Sequence, residues 1–235
     1  MSNAQKMDLQ DDRNVTDKTH NRDAARTTRM RFGLAGILRL SDRFAGRVVS
    51  AYDRLFALDE EDTAEIYMDL GTEFAKDGKA EDALAALEKT LELQPQNADA
   101  WYQIGRIYSA EQAPEAALVA FEKSLKLGVS TFDLHYGIAE VLFDLERGEE
   151  AVDALNQAIE FRPDEAEAYY RLAVALDNLE LYDKAVAAFN KAIEISPRET
   201  TYYQSLGFTL DSMGRHDEAI TCFKRAVELE RRFAQ

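Results

Sequence analysis

Three histidines, one cysteine and forty-four carboxylates are the side chains with which this chain could carry acid–base, nucleophilic or metal chemistry. Their spacing favours none of it. His20, His135 and His216 are far apart, and with Cys222 as the sole thiol no zinc-binding spacing exists and no intramolecular disulfide can form. The carboxylates are spread along the chain as solvated helix faces are, not paired as a general acid and base. No glycine-rich phosphate loop is present. The expectation is a chain that is not an enzyme and uses no cofactor and no metal. What recurs is aromatic: Tyr102, Tyr136 and Tyr170 follow one another at thirty-four residues. Tyrosine offers a large contact area at low entropic cost, so the chemistry to expect is protein binding.

The same step runs through the elements that must position those tyrosines. A small residue recurs at Ala83, Ala117, Ala151, Ala185 and Ala219, with no insertion or deletion between them. An aromatic or histidine recurs at Tyr67, Trp101, His135, Tyr169 and Tyr203, where a core role is expected of His135. Leu70-Gly71, Ile104-Gly105, Ile138-Ala139, Leu172-Ala173 and Leu206-Gly207 keep the register, as do Leu87, Phe121, Leu155, Phe189 and Phe223. Pro95, Pro163 and Pro197 close three of the units. Small residues let two helices approach, and the aliphatic and aromatic columns fill the seam between them. One such hairpin cannot bury its apolar face alone, so neighbours must stack. These columns resemble the tetratricopeptide repeat (TPR), a thirty-four-residue helix-turn-helix unit. The resemblance implies an all-α, right-handed superhelical solenoid. Its five repeats are about 64–97, 98–131, 132–165, 166–199 and 200–233, within a domain 63–235.

In this family the A-helix edge opposite the packing columns lines a groove for a partner's peptide or helix. Stepping along that edge selects Tyr102, Arg106, Tyr136, Glu140, Phe143, Tyr170, Asp177 and Phe208 as partner-binding candidates. A one-residue change of register would make the tyrosines packing residues instead. The family's carboxylate clamp, built from Lys and Asn, has no counterpart at Met68, Thr72, Tyr102, Arg106, Tyr136 and Glu140, so chaperone tails are not the expected ligand.

Charge is unevenly placed. Residues 1–54 hold eleven Lys or Arg against seven Asp or Glu, whereas residues 55–235 hold seventeen against thirty-seven. An array this acidic repels phosphate, so no nucleic-acid partner is expected. Residues 1–28 are polar and read as a disordered tail. Residues 29–62 read as a basic amphipathic helical pair, Arg29–Leu40 and Asp42–Ala57, a degenerate repeat followed by an acidic linker. Asp62 or Thr63 is the expected cap of the first regular helix. Arg39, Arg43 and Arg47 fall four apart and, with Phe44, Val48 and Phe56, make a candidate self-assembly arm. Three readings of the pair stay open: it caps its own solenoid, docks into another subunit's groove, or lies on an anionic membrane. The apolar run Phe32–Leu38 is too short to span a bilayer and reads as part of a helix.

The second repeat lacks the closing proline and has Gly128-Val129 instead, a candidate hinge. No solvating helix is expected after the fifth repeat, a mild argument for self-association. The stretches 171–185, 213–219 and 223–229 are similar to magnetosome-associated members of the repeat family, as is the layout of a degenerate pair before five repeats. That similarity implies a cytoplasmic homo-oligomeric scaffold, peripheral on a magnetosome membrane through its partners. Its N-terminal pair would occupy a neighbour's groove. A monomeric adaptor or chaperone for a basic segment of another protein is the alternative.

Overall fold

The computed structural model describes residues 59–233, which hold ten α-helices. The tail 1–28, the pair Arg29–Leu58 and its arm residues Arg39, Arg43, Phe44, Arg47, Val48 and Phe56 lie outside the described residues. The chain forms two compact units that divide between Gln96 and Asn97. In the first, α1 (Glu60–Lys76) packs against α2 (Ala80–Leu93). The second stacks four hairpins: α3 (Ala98–Ala110) with α4 (Pro114–Lys126), α5 (Phe132–Asp144) with α6 (Gly148–Phe161), α7 (Ala166–Asn178) with α8 (Tyr182–Ile195), and α9 (Thr200–Ser212) with α10 (His216–Phe233). The architecture is all-α and solenoidal.

The helix starts differ from expectation at one place. Asp59, not Asp62 or Thr63, caps α1, its Oδ1 accepting from the Asp62 N–H at 2.8 Å. Glu60, Glu61 and Asp62 are thereby the first helical turn rather than a linker, with carboxylates at the positive end of the helix dipole. Asn97 and Thr131 cap α3 and α5 in the same way. Pro114 opens α4, where a missing N–H costs nothing.

All five A-helices end alike. In each, the residue two past the last helical one lies in the left-handed region: Gly78, Gln112, Glu146, Glu180 and Gly214, with φ from 56° to 76°. Its N–H and the next one turn back onto the last turn, as in Glu146 to the Phe143 carbonyl and Arg147 to the Leu142 carbonyl. This is the Schellman closure. Three of the five positions are not glycine, and an L-residue there costs about 1–2 kcal/mol. Glycine's own loss of freedom takes back about 0.5–1 kcal/mol of that. Glu146→Gly should therefore stabilise the chain by about 0.5 kcal/mol, read as a small rise in the urea midpoint; a fall would show that the Glu146 side chain supports the turn. The second repeat closes its B-helix the same way, with Gly128 at φ 98° and the Val129 N–H on the Ser124 carbonyl at 3.3 Å. Glycine thus does there what proline does at the end of the first, third and fourth repeats.

Between paired helices the small column is fully buried: Ala83, Ala117, Ala151 and Ala185 are at 0% exposure. Phe121 and Phe189 are buried in the seam beside them. A Cβ built on Gly105 would stand 2.4 Å from Phe121 Cδ1, so any larger residue there requires α3 and α4 to shift apart. His135 is buried, with Nε2 2.9 Å from the Ser130 hydroxyl and its ring stacked on Phe161. Burial pushes its imidazole below the ordinary range. It is a packing group, as its column implies. Cys222 is half-buried in α10, and burial pushes its thiol up.

Candidate functional site

The A-helices of the second unit carry the candidate surface. α3 supplies Tyr102, Arg106 and Ser109, and α5 supplies Asp133, Tyr136, Gly137 and Glu140; together they line an open pocket of about 540 Å³ with the Phe121 ring of α4 at its floor. Four expected residues, Tyr102, Arg106, Tyr136 and Glu140, are brought together here. Two consecutive A-helices separated by one repeat place their equivalent positions side by side, which is why residues thirty-four apart meet.

Each wall is held from behind. The Tyr102 ring lies tilted on Phe121 at 6.0 Å, and the Arg106 guanidinium sits 5.9 Å from the Tyr102 ring centre. Tyr136 stacks on Phe132 at 5.4 Å, and Arg162 lies over Phe132 at 4.4 Å. Arg162 also donates two hydrogen bonds to the Asp133 carboxylate, at 3.3 and 3.0 Å. Arg171 of α7 interacts electrostatically with Tyr136 and donates to Glu167 at 3.0 Å. Burial pushes both the Tyr102 and the Tyr136 hydroxyls up, so both stay protonated donors. The Glu140 carboxyl is raised by partial burial, with Arg171 pulling the other way. A carboxylate held this way gains from a cation brought to it.

The other expected residues lie outside the pocket. Tyr170 stacks on Tyr202 at 4.9 Å, and its hydroxyl is 3.4 Å from that of Ser205. Tyr202 in turn donates to Glu167 at 3.2 Å, and burial raises its hydroxyl further than those of the pocket tyrosines. The three tyrosines in register thus form separate ring contacts, with Phe121, Phe132 and Tyr202, rather than one ladder. Phe143 and Asp177 are half-buried, Phe143 against the core. Phe208 is 67% exposed and meets Phe223 edge-on at 5.1 Å. Arg162, Arg171, Gly137 and Tyr202 are the residues that stepping along the A-helix edge does not select. Arg162 follows the end of α6 and reaches back to α5, a contact that no column of the repeat encodes.

Among the described residues no group of His, Cys, Asp or Glu is placed to hold a metal ion, and no helix is long and apolar enough to cross a membrane. The arrangement can grip a protein segment by aromatic faces and charged rims.

Residues 67–203 match the family model described as the cytochrome c-type biogenesis protein H TPR domain, and residues 200–233 match the tetratricopeptide repeat. Among solved structures, a crystal structure of MamA is 32% identical with a TM-score of 0.71, covering 74% of this chain and 95% of that one. A MamA structure, 41-end, from Desulfovibrio magneticus RS-1 is 29% identical with a TM-score of 0.69, covering 74% and 97%. YrrB, a TPR protein with an unusual peptide-binding site, is 25% identical with a TM-score of 0.70, covering 77% and 91%. Among curated proteins, none matches the chain in sequence.

Proposed function

The chain belongs to the tetratricopeptide-repeat family of protein-interaction scaffolds and resembles MamA, and from that premise we propose that it is a non-enzymatic scaffold assembling with copies of itself. In this reading the basic segment 29–58 of one copy occupies the A-helix surface of the next. The remaining surfaces receive other proteins. The likeness to MamA supports a place on the cytoplasmic face of a magnetosome membrane, reached through partners rather than by insertion.

The observation that carries the reading is the pocket: tyrosine walls and a Glu140 rim that favours a cation, in an array with a strong excess of acid. The segment 29–58 offers the complement, with Arg39, Arg43 and Arg47 spaced four apart among apolar residues. Contact between exposed opposite charges is screened by salt, over about 10 Å at 0.1 M. A head-to-tail contact of this kind either closes into a ring or propagates.

Light scattering on the full chain tests it. The expected mass is several times 26.5 kDa at low salt and falls as salt is added. The charge reversal R39E/R43E/R47E should give monomers at every salt concentration. Large assemblies persisting in that variant would remove the arm from the reading. A monomeric native chain would instead favour an adaptor that binds a basic segment of another protein, an alternative for which YrrB and its peptide-binding site are the nearer comparison.

A further inference from the structure

Gly137 stands in the middle of α5, at no turn and with no left-handed φ to demand a glycine. A glycine in a helix interior weakens the helix relative to alanine. Its contact is also looser than those of the glycines between paired helices. The residues that let paired helices meet are Gly71, Gly105 and Gly207, where an added Cβ would lie 2.4–2.7 Å from the facing side chain. At Gly137 the nearest atom, Phe121 Cζ, is 3.2 Å away, so a side chain there needs the ring to give by a few tenths of an ångström. The other repeats carry side chains at this position: Asp69, Gln103, Arg171 and Ser205. Only the third repeat leaves it empty, and there the pocket opens between Tyr102 and Tyr136.

We infer that Gly137 is the specificity-determining residue of this surface: it clears a pocket that receives one arginine side chain from segment 29–58 of a second copy. This rests on the reading of the A-helix surface as the site of self-docking and adds which side chain is taken and where. The aromatic walls accept the aliphatic stem and attract the guanidinium through their faces. Glu140 at the rim supplies the counter-charge, while Asp133 is already engaged by Arg162 and holds the wall in place. Arg171, near Glu140, and Arg106 are the like charges here, and of the two Arg106 lines the pocket. Its guanidinium donates to Gln103 at 3.3 Å, a long, exposed bond that is readily given up, so it can turn toward an acid. Segment 29–58 carries such an acid, Asp42, directly before Arg43.

The test uses a fluorescent peptide of residues 29–58, titrated into the full chain carrying R39E/R43E/R47E so that its own arm does not compete. Gly137→Gln introduces the side chain that the second repeat already holds at Gln103, so helix content should be unchanged by circular dichroism. The expected result is binding at least ten-fold weaker than to the Gly137 chain. Changing the peptide's arginines to glutamine singly should reveal one whose loss weakens binding in the Gly137 chain but not in the Gly137→Gln chain, the signature of direct coupling. If Gly137→Gln binds as tightly as Gly137 while Tyr170→Ala or Phe208→Ala weakens binding, the pocket assignment is overturned and self-docking stands. If only the peptide's apolar residues matter, the arginine assignment falls. If the peptide does not bind at all, both fall.

Discussion

Phe121→Ala is expected to lower the free energy of unfolding by about 3–5 kcal/mol, the range for removing a buried phenylalanine ring. The ring is 1% exposed and packed from two neighbouring helices: Gly105 lies against it from α3, Gly137 from α5, and Tyr102 rests on it at 6.0 Å. Three helices would share the resulting void, and none can close it without drawing away from another. Phe121→Leu should cost about 1 kcal/mol, because Leu155 fills the same place in the third repeat. Urea unfolding followed by circular dichroism measures both. A loss below about 1.5 kcal/mol for the alanine variant would mean that the second and third repeats collapse onto the space, contrary to their close packing. The alanine variant should also weaken partner binding, since Tyr102 loses its support.

The second large effect is expected at Gly105. A Cβ there would stand 2.4 and 2.6 Å from two carbons of the Phe121 ring, less than contact distance by about 1 Å. The fourth repeat shows how much of this a helix pair absorbs, since it holds Ala173 and Phe189 in the equivalent places, both buried. Gly105→Ala therefore sets the cost of spreading α3 from α4 against the gain of about 1 kcal/mol from helix propensity, and the net change should be small. A branched residue has no such precedent in any repeat. Gly105→Val is expected to destabilise by about 3 kcal/mol, measured as a loss of several degrees in thermal melting. A valine variant as stable as the alanine one would show that α3 and α4 slide apart freely.

These two positions mark the boundary between what the repeat period encodes and what it leaves out. Gly105 and Phe121 belong to columns repeated five times, so their meeting follows from the period alone, as do the helix pairs and the fully buried Ala83, Ala117, Ala151 and Ala185. Tyr102, Arg106, Tyr136 and Glu140 are legible for the same reason, because a thirty-four-residue step lands on neighbouring helices. What the period does not encode are contacts made by single repeats. Arg162 reaches Asp133 from a turn where the equivalent residues are Gly128 and Ser196. Tyr170 finds Tyr202 because the fifth repeat has a tyrosine where the third and fourth have Leu134 and Ala168. The cap of α1 falls to Asp59 because several acids in a row each could serve, and propensity does not choose among them. Gly137 is visible as an exception to its column, but its meaning needs the ring beneath it.

The identical closures of the A-helices set a phase for the chain. From Gln112 through Glu146 and Glu180 to Gly214, each left-handed residue resets the backbone direction after the same interval. An insertion of one or two residues inside a repeat would turn every later A-helix away from the shared face. An insertion of a whole repeat would leave the phase intact and lengthen that face by one helix. Change in such a chain therefore proceeds by two routes, substitution at a fixed position or gain and loss of complete thirty-four-residue modules. A pocket like that at Gly137 can thus be made or erased by one residue without disturbing its neighbours.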